Sequence, residues 1–289
     1  MSAVRVIVTR PAGDAQRWVQ QLQQGGMEAE ALPLIEIAPA SSASTVQALQ
    51  QAWQTLDSYA ASMFVSAHAV AYFFKENKAV TDVIREQSAI NKIAKSNFEG
   101  LPQSLRFMAP GPGTVAALQA VGIPAGRIDA PAPDARQFDS EALWQVIGRR
   151  DWQGRRVLVV RGQSEAAVGG AASSGRDWLA RQWAAAGAQV DFLAVYQRRA
   201  PKLSEAQLQR ARAAGVDGSI WIFSSSEAVA NLSTMPGLEG MDWSRARAVA
   251  THPRIAEAVR ALGWGVVVES RPALKDIRDT LGSIESSHP

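Results

Sequence analysis

The chain has 289 residues, a net charge of +3, 47% hydrophobic and 20% charged residues, and no cysteine. This is the profile of a globular protein long enough for two domains, and the missing cysteine excludes disulfides, thiolate nucleophiles and Cys-bound zinc or iron–sulfur centres. Thirty basic residues against twenty-seven acidic ones describe a mixed, solvated surface and no nucleic-acid patch, although a mild excess still suits a small polyanion.

The opening Met1–Pro11 is too short in its apolar run, and too interrupted by Arg5 and Arg10, to be a signal peptide. No stretch approaches a membrane span, so a cytoplasmic protein without a membrane partner is expected. Val4–Val8 reads as a buried strand, followed by a helix through Trp18, Val19 and Leu22 that closes at Gly25 and Gly26. Ala31–Pro39 is extended, because Pro33 and Pro39 exclude a helix. Ser62–Phe74 is a strand, a pair of small residues (Ser66, Ala67) and a helix; Leu105–Ile123 repeats that order around Gly111 and Pro112. Arg156–Arg161 repeats the first strand with its terminal arginine; a helix through Trp178, Leu179 and Trp183 follows, and Gln189–Pro201 is again extended. Ser219–Leu232 then mirrors Ser62–Phe74, and Arg247–Gly265 mirrors Leu105–Ile123, with Pro253 on Pro112 and Gly263 on Gly122. Three stretches break the repeat. Lys75–Pro102 is long and of mixed charge, Gly162–Gly175 reads as a mobile loop, and the tail after Leu281 reads as disordered.

The chain is therefore two copies of three strand–helix units, which predicts an α/β fold with parallel sheets. Right-handed crossovers bring every strand-to-helix turn to one edge, where ligands of such sheets bind. Arg10, Arg161, Ser66, Ser225, Thr114 and His252 (preceded by Thr251) all fall at or just after strand ends and should line that rim. Ser224, Ser225 and Ser226 supply more hydroxyls than one helix cap needs. With the helix amides they suit a carboxylate or phosphate, and Ser66 with Ala67 makes the equivalent cradle in the other copy. Arg10 and Arg161 end equivalent strands, and arginine suits carboxylates. Gly111–Ala116 formally fits a dinucleotide-binding turn, but a proline sits inside it and Asp134 lies in a Pro-rich loop, so a close-packed helix entry is the better reading. No serine-nucleophile elbow and no metal-ligand spacing of histidines is present. Tyr196, by pattern alone, is a packing residue in a strand.

In order along the chain, VIVTRP (Val6–Pro11), PLIEI (Pro33–Ile37), FVSAHAV (Phe64–Val70), APGPGTVAAL (Ala109–Leu118), VLVVRG (Val157–Gly162), VYQRR (Val195–Arg199), FSSSEAV (Phe223–Val229) and HPRIAEAV (His252–Val259) resemble the uroporphyrinogen-III synthases of tetrapyrrole biosynthesis. The repeats alone would have been drawn as two tandem domains. The resemblance implies instead two flavodoxin-like domains, with domain I discontinuous (residues 1–36 and 199–289) and domain II inserted (37–198). A two-stranded connection near Leu34–Pro39 and Val195–Arg199 would join them, and the two cradles would then close on one substrate from opposite sides.

The implied activity is cyclisation of the linear tetrapyrrole hydroxymethylbilane to uroporphyrinogen III, with loss of water and inversion of ring D through a spiro intermediate, by a monomer needing no metal or organic cofactor. Hydroxymethylbilane synthase would hand the substrate on. By the same resemblance Tyr196 matches a tyrosine that assists departure of the hydroxyl, a role open to a phenol because it is protonated at neutral pH. Arg10, Ser66 and Ser225 match substrate-holding positions, and Thr114 is a further contact with no counterpart at Ile255. The competing reading is a non-catalytic two-domain module that binds a polyanionic small molecule. A nucleotide-dependent enzyme is disfavoured by the poor glycine motif.

Overall fold

The computed structural model describes residues 5–40, 42–74, 104–164 and 174–287. In chain order the first elements are β1 (Arg5–Val8), α1 (Ala12–Gln24), β2 (Glu28–Ala31), β3 (Glu36–Pro39), α2 (Ala43–Gln54), β4 (Ala61–Phe64) and a helix α3 over 67–74. Then come β5 (Arg106–Met108), α4 (Pro112–Ala120), β6 (Ile128–Asp129), α5 (Ser140–Ile147), β7 (Arg156–Ser164), α6 (Ser174–Ala185) and β8 (Gln189–Arg199). The last are α7 (Glu205–Ala214), β9 (Ile220–Phe223), α8 (Ser226–Ser233), β10 (Arg247–Ala250), α9 (Pro253–Ala261), β11 (Val266–Glu269) and α10 (Leu274–Ser287). They form two compact units, Met1–Ile37 with Arg199–Pro289, and Ala38–Arg198.

The first unit is built on a five-stranded sheet, ordered β11-β10-β9-β1-β2. β1 pairs in parallel with both β2 and β9, and β10 with both β9 and β11. Its central strands β1, β9 and β10 are mostly buried apolar runs because helices cover both faces. Alternate residues serve alternate faces. Ile7, Trp221 and Phe223 meet α7, α8 and α9, whereas Val6, Val8, Ile220 and Ile222 meet α1 and α10. Trp221 is fully buried against Trp243 and Trp264, with centroids 5.8 and 5.6 Å away, and its ring N–H donates to the Ala214 carbonyl at 3.1 Å. Truncating such a ring costs about 3–5 kcal/mol.

The second unit has a six-stranded sheet, ordered β3-β8-β7-β4-β5-β6, with parallel pairing from β8 through β6. On one face Leu143, Ile147, Leu179 and Trp183 pack over Met63, Val157 and Val159. On the other, Trp53 of α2 and Phe73 of α3 stack at 4.5 Å, and Phe73 meets Phe64 of β4 edge-on at 5.3 Å. At the start of β5, Arg106 and, from the turn after α5, Arg150 both donate to Asp129, which is 5% exposed. Burial pushes that carboxyl up, but the hydrogen bonds from Arg150 and Arg106 outweigh it and leave the group below the usual carboxylate range.

The expectation of α/β architecture with parallel sheets is met, with β3 lying beside β8 at one sheet edge. Gly122 and Gly263, paired in the repeat, both follow their helices at φ of 99° and 80°, where glycine ends a helix without strain. The disordered tail is corrected. α10 runs to Ser287, because Ile277, Leu281 and Ile284 recur at helical spacing and are buried. Lys75–Pro102 lies outside the described residues, as does the middle of Gly162–Gly175. The ends of the latter belong to β7 and α6.

Candidate active site

Strand order fixes where each sheet opens. In the first unit the chain leaves β1 toward β2 on one side, and β9 takes the other side. A crevice therefore lies outside the carboxyl ends of β1 and β9. The Thr9 hydroxyl ties the two ends by donating to the Ile222 carbonyl at 2.7 Å. Arg10 follows β1. Its guanidinium lies 4.0 Å over the Trp18 ring, and its buried Nε has no hydrogen-bond partner among the described residues. Burial draws this guanidinium below the usual arginine value, with Asp14 opposing and Arg17 adding to the shift. Ser224 and Ser225 follow β9. Ser225 caps α8 by accepting from the Glu227 amide at 3.2 Å, while Ser226 is the first, exposed residue of that helix.

After β10, Thr251 is 8% exposed and its amide donates to the Phe223 carbonyl at 3.0 Å. His252 caps α9, with Nδ1 accepting from the Arg254 amide at 3.1 Å. That bond requires an unprotonated Nδ1, so in the neutral ring Nε2 carries the proton. Pro253 has no N–H, and the amides of Ile255 and Ala256 bond back to the His252 carbonyl. The start of α9 thus has its backbone donors occupied, and His252 would have to offer its ring.

In the second unit the chain leaves β4 toward β5 and β6, and returns as β7 on the other side of β4. The crevice therefore lies between the ends of β4 and β7, marked by Ser66 with Ala67 and by Arg161 with Gly162. β7 does not stop at Arg161. The register with β8 pairs Arg161 with Ala194, then shifts to pair Gly162 with Tyr196. The shift sets the Tyr196 ring on Gly162, so close that a Cβ there would lie 2.3 Å from a ring carbon. Its phenol oxygen is 3.0 Å from Ser66 Oγ. Ser66 Oγ also accepts from the Ala69 amide at 3.1 Å, capping α3. Tyr72 stacks on the Tyr196 ring at 5.8 Å, and the His68 ring is 5.9 Å away. Burial pushes the Tyr72 phenol up. Tyr196 itself is 2% exposed.

Of the residues singled out in the sequence, Tyr196 and Ser66 are joined directly, and Arg10 shares one sheet crevice with Ser224, Ser225 and Ser226. Arg161 lies at the second crevice, its guanidinium 4.4 Å over the Phe192 ring. Thr114, in the first turn of α4, is 6% exposed and has little side-chain surface to offer. Gly111 caps that helix in extended backbone, φ −156°, with Pro112 following it. Nothing in this conformation calls for a glycine to approach a pyrophosphate. Sequence reading missed Gly162, Tyr72 and His68 as neighbours of Tyr196. His68 and Tyr72 are four apart, so they share a helix face; that spacing was available in HAVAY. Gly162 was not accessible, because its role depends on a shift in strand register.

A family model described as "Uroporphyrinogen-III synthase HemD" matches residues 16–278. The uroporphyrinogen-III synthase of Salmonella typhimurium is 27% identical over 262 residues, covering 90% of this chain and 92% of that protein. A crystal structure of a mutant uroporphyrinogen III synthase from Thermus thermophilus shares the fold, with a TM-score of 0.57 at 16% identity over 99% of this chain and 100% of that one.

Proposed function

The chain belongs to the uroporphyrinogen-III synthase family, and from that premise we infer that it closes hydroxymethylbilane to uroporphyrinogen III, losing water and inverting ring D through a spiro intermediate. The family match along residues 16–278 carries this reading. The two rims support it. The bilane bears eight carboxylates, and each rim combines an arginine, a serine-capped helix start and further donors suited to them.

Catalysis here is chiefly orientation. The pyrrole's electrons expel the hydroxyl, Tyr196 supplies the proton that makes it water, and the resulting azafulvene cation is attacked by the substituted carbon of ring D. That attack gives the spiro intermediate. The bond from this carbon to its original methylene bridge then breaks, and the freed methylene carbon bonds to the unsubstituted α-carbon of ring D. Loss of that carbon's proton rearomatises the ring and returns Tyr196 to its starting form. Tyr196 is almost fully buried, so the bilane reaches its hydroxyl when Tyr72 and His68 beside it turn aside. Arg10, Arg161, Ser224, Ser225, Ser226, Ala67 and the His252 ring hold carboxylates, with Thr114 and Thr251 shaping the turns beneath them.

Among the described residues no helix is long and apolar enough to cross a membrane. The reading includes a cytoplasmic monomer that takes the bilane as hydroxymethylbilane synthase releases it. The test is to incubate the protein with freshly generated hydroxymethylbilane, oxidise, and separate the isomers. Isomer III is expected; isomer I alone, the product of spontaneous closure, would overturn the reading.

A further inference from the structure

We propose that Ser66 is a positioning residue for Tyr196, holding the phenol oxygen as it gives up its proton, and is not a carboxylate-binding cap like Ser225. The inference rests on Tyr196 as the proton donor of the proposed reaction. The two serines occupy equivalent places in the repeat and both cap a helix. Only Ser66 has a phenol 3.0 Å from its hydroxyl.

The bonding inventory fixes the direction of that contact. A serine hydroxyl has one proton to donate and two lone pairs. One lone pair of Ser66 takes the Ala69 amide. If Tyr196 is to donate to the leaving hydroxyl, its own O–H must point away from Ser66. The 3.0 Å contact is then made by the Ser66 proton, donated to the phenol oxygen. As Tyr196 loses its proton, negative charge grows on an oxygen that already accepts this bond. The Ser66 oxygen is in turn polarised by the Ala69 amide at the positive end of α3. The groups are in place before the charge appears, which is the condition for an electrostatic contribution to rate. No atom is transferred to Ser66; its proton stays on it throughout. Gly162 completes the arrangement by letting the ring lie across β7 to reach Ser66.

The test is a double-mutant cycle of Ser66→Ala and Tyr196→Phe, read by single-turnover and steady-state rates of isomer III formation. With Tyr196 intact, Ser66→Ala should lower kcat roughly 10- to 100-fold, the loss expected for one hydrogen bond to a developing charge, with KM little changed. Added to Tyr196→Phe, the same substitution should leave kcat unchanged. Ser66→Thr, which keeps the hydroxyl, should restore most of the rate. An equal loss in both backgrounds, or a loss confined to KM, would overturn the proposal while leaving Tyr196 as donor. Near-full activity of Tyr196→Phe alone would instead overturn the donor assignment beneath it. Circular dichroism and the thermal midpoint of each variant separate these outcomes from loss of a helix cap, which costs stability but does not depend on residue 196.

Discussion

The two rims are built from the same repeat and end differently. In the first unit β1 ends at Val8, Pro11 follows Arg10, and α1 begins at once, at Ala12. Its arginine lies over the Trp18 ring and its serine cap accepts from the Glu227 amide. In the second unit glycine stands where Pro11 stands in the first, and β7 runs on to Ser164. The longer strand, with its register shift, carries Tyr196 onto Gly162 and into contact with Ser66. On the proposed reading, Pro or Gly after the strand-end arginine marks the difference between a rim that only holds anions and one that also presents a proton.

The comparison breaks most sharply at Tyr196. Tyr196→Phe should lower kcat by about 10²- to 10⁴-fold, the usual range for one general acid, with the circular dichroism spectrum preserved. A fully active variant would leave both rims as holding surfaces only. Gly162→Ala comes next. It should displace the Tyr196 ring and lower kcat by at least tenfold, because the added carbon would meet the ring well inside contact distance. A crystal structure of that variant should show the Tyr196 oxygen moved away from Ser66.

In the other rim the effects should fall on binding. Arg10→Met should raise KM roughly tenfold, as expected for loss of one charge-assisted bond to substrate. Its thermal midpoint should hold or rise, since the substitution removes a buried, unpartnered Nε. The smallest effect is expected for Ser225→Ala. Losing the cap should cost about 1 kcal/mol of stability by denaturant titration, and KM should rise only a few-fold because the first-turn amides of α8 remain.

The fold class was open to sequence reading because buried parallel strands are continuous apolar runs, and the glycines and prolines between them mark every turn. The positions of Arg10, Ser66 and Ser225 followed from that, since strand ends converge on one edge. Two things were out of reach of the residue pattern itself. The crevice locations depend on which strand neighbours which, and β1 next to β9 is a pairing between residues more than 200 apart in sequence. The Tyr196–Ser66 contact depends on the shift between Arg161 and Gly162, and residue types do not encode register by themselves. The general tendency of chain ends to be disordered misled after Leu281, where Ile284 continues a buried helical stripe.

The place of β1 in its sheet also bears on how the chain is made. β1 leaves the ribosome well before one of its two flanking partners, β9, which begins at Ile220. At synthesis rates of 5–20 residues per second, that partner follows roughly 10–40 s later. The second unit, contiguous over Ala38–Arg198, can be complete by then. An apolar strand must therefore wait with one edge unpaired while a whole α/β unit forms behind it. During that interval the nascent chain is exposed to wrong strand pairing and to chaperone capture.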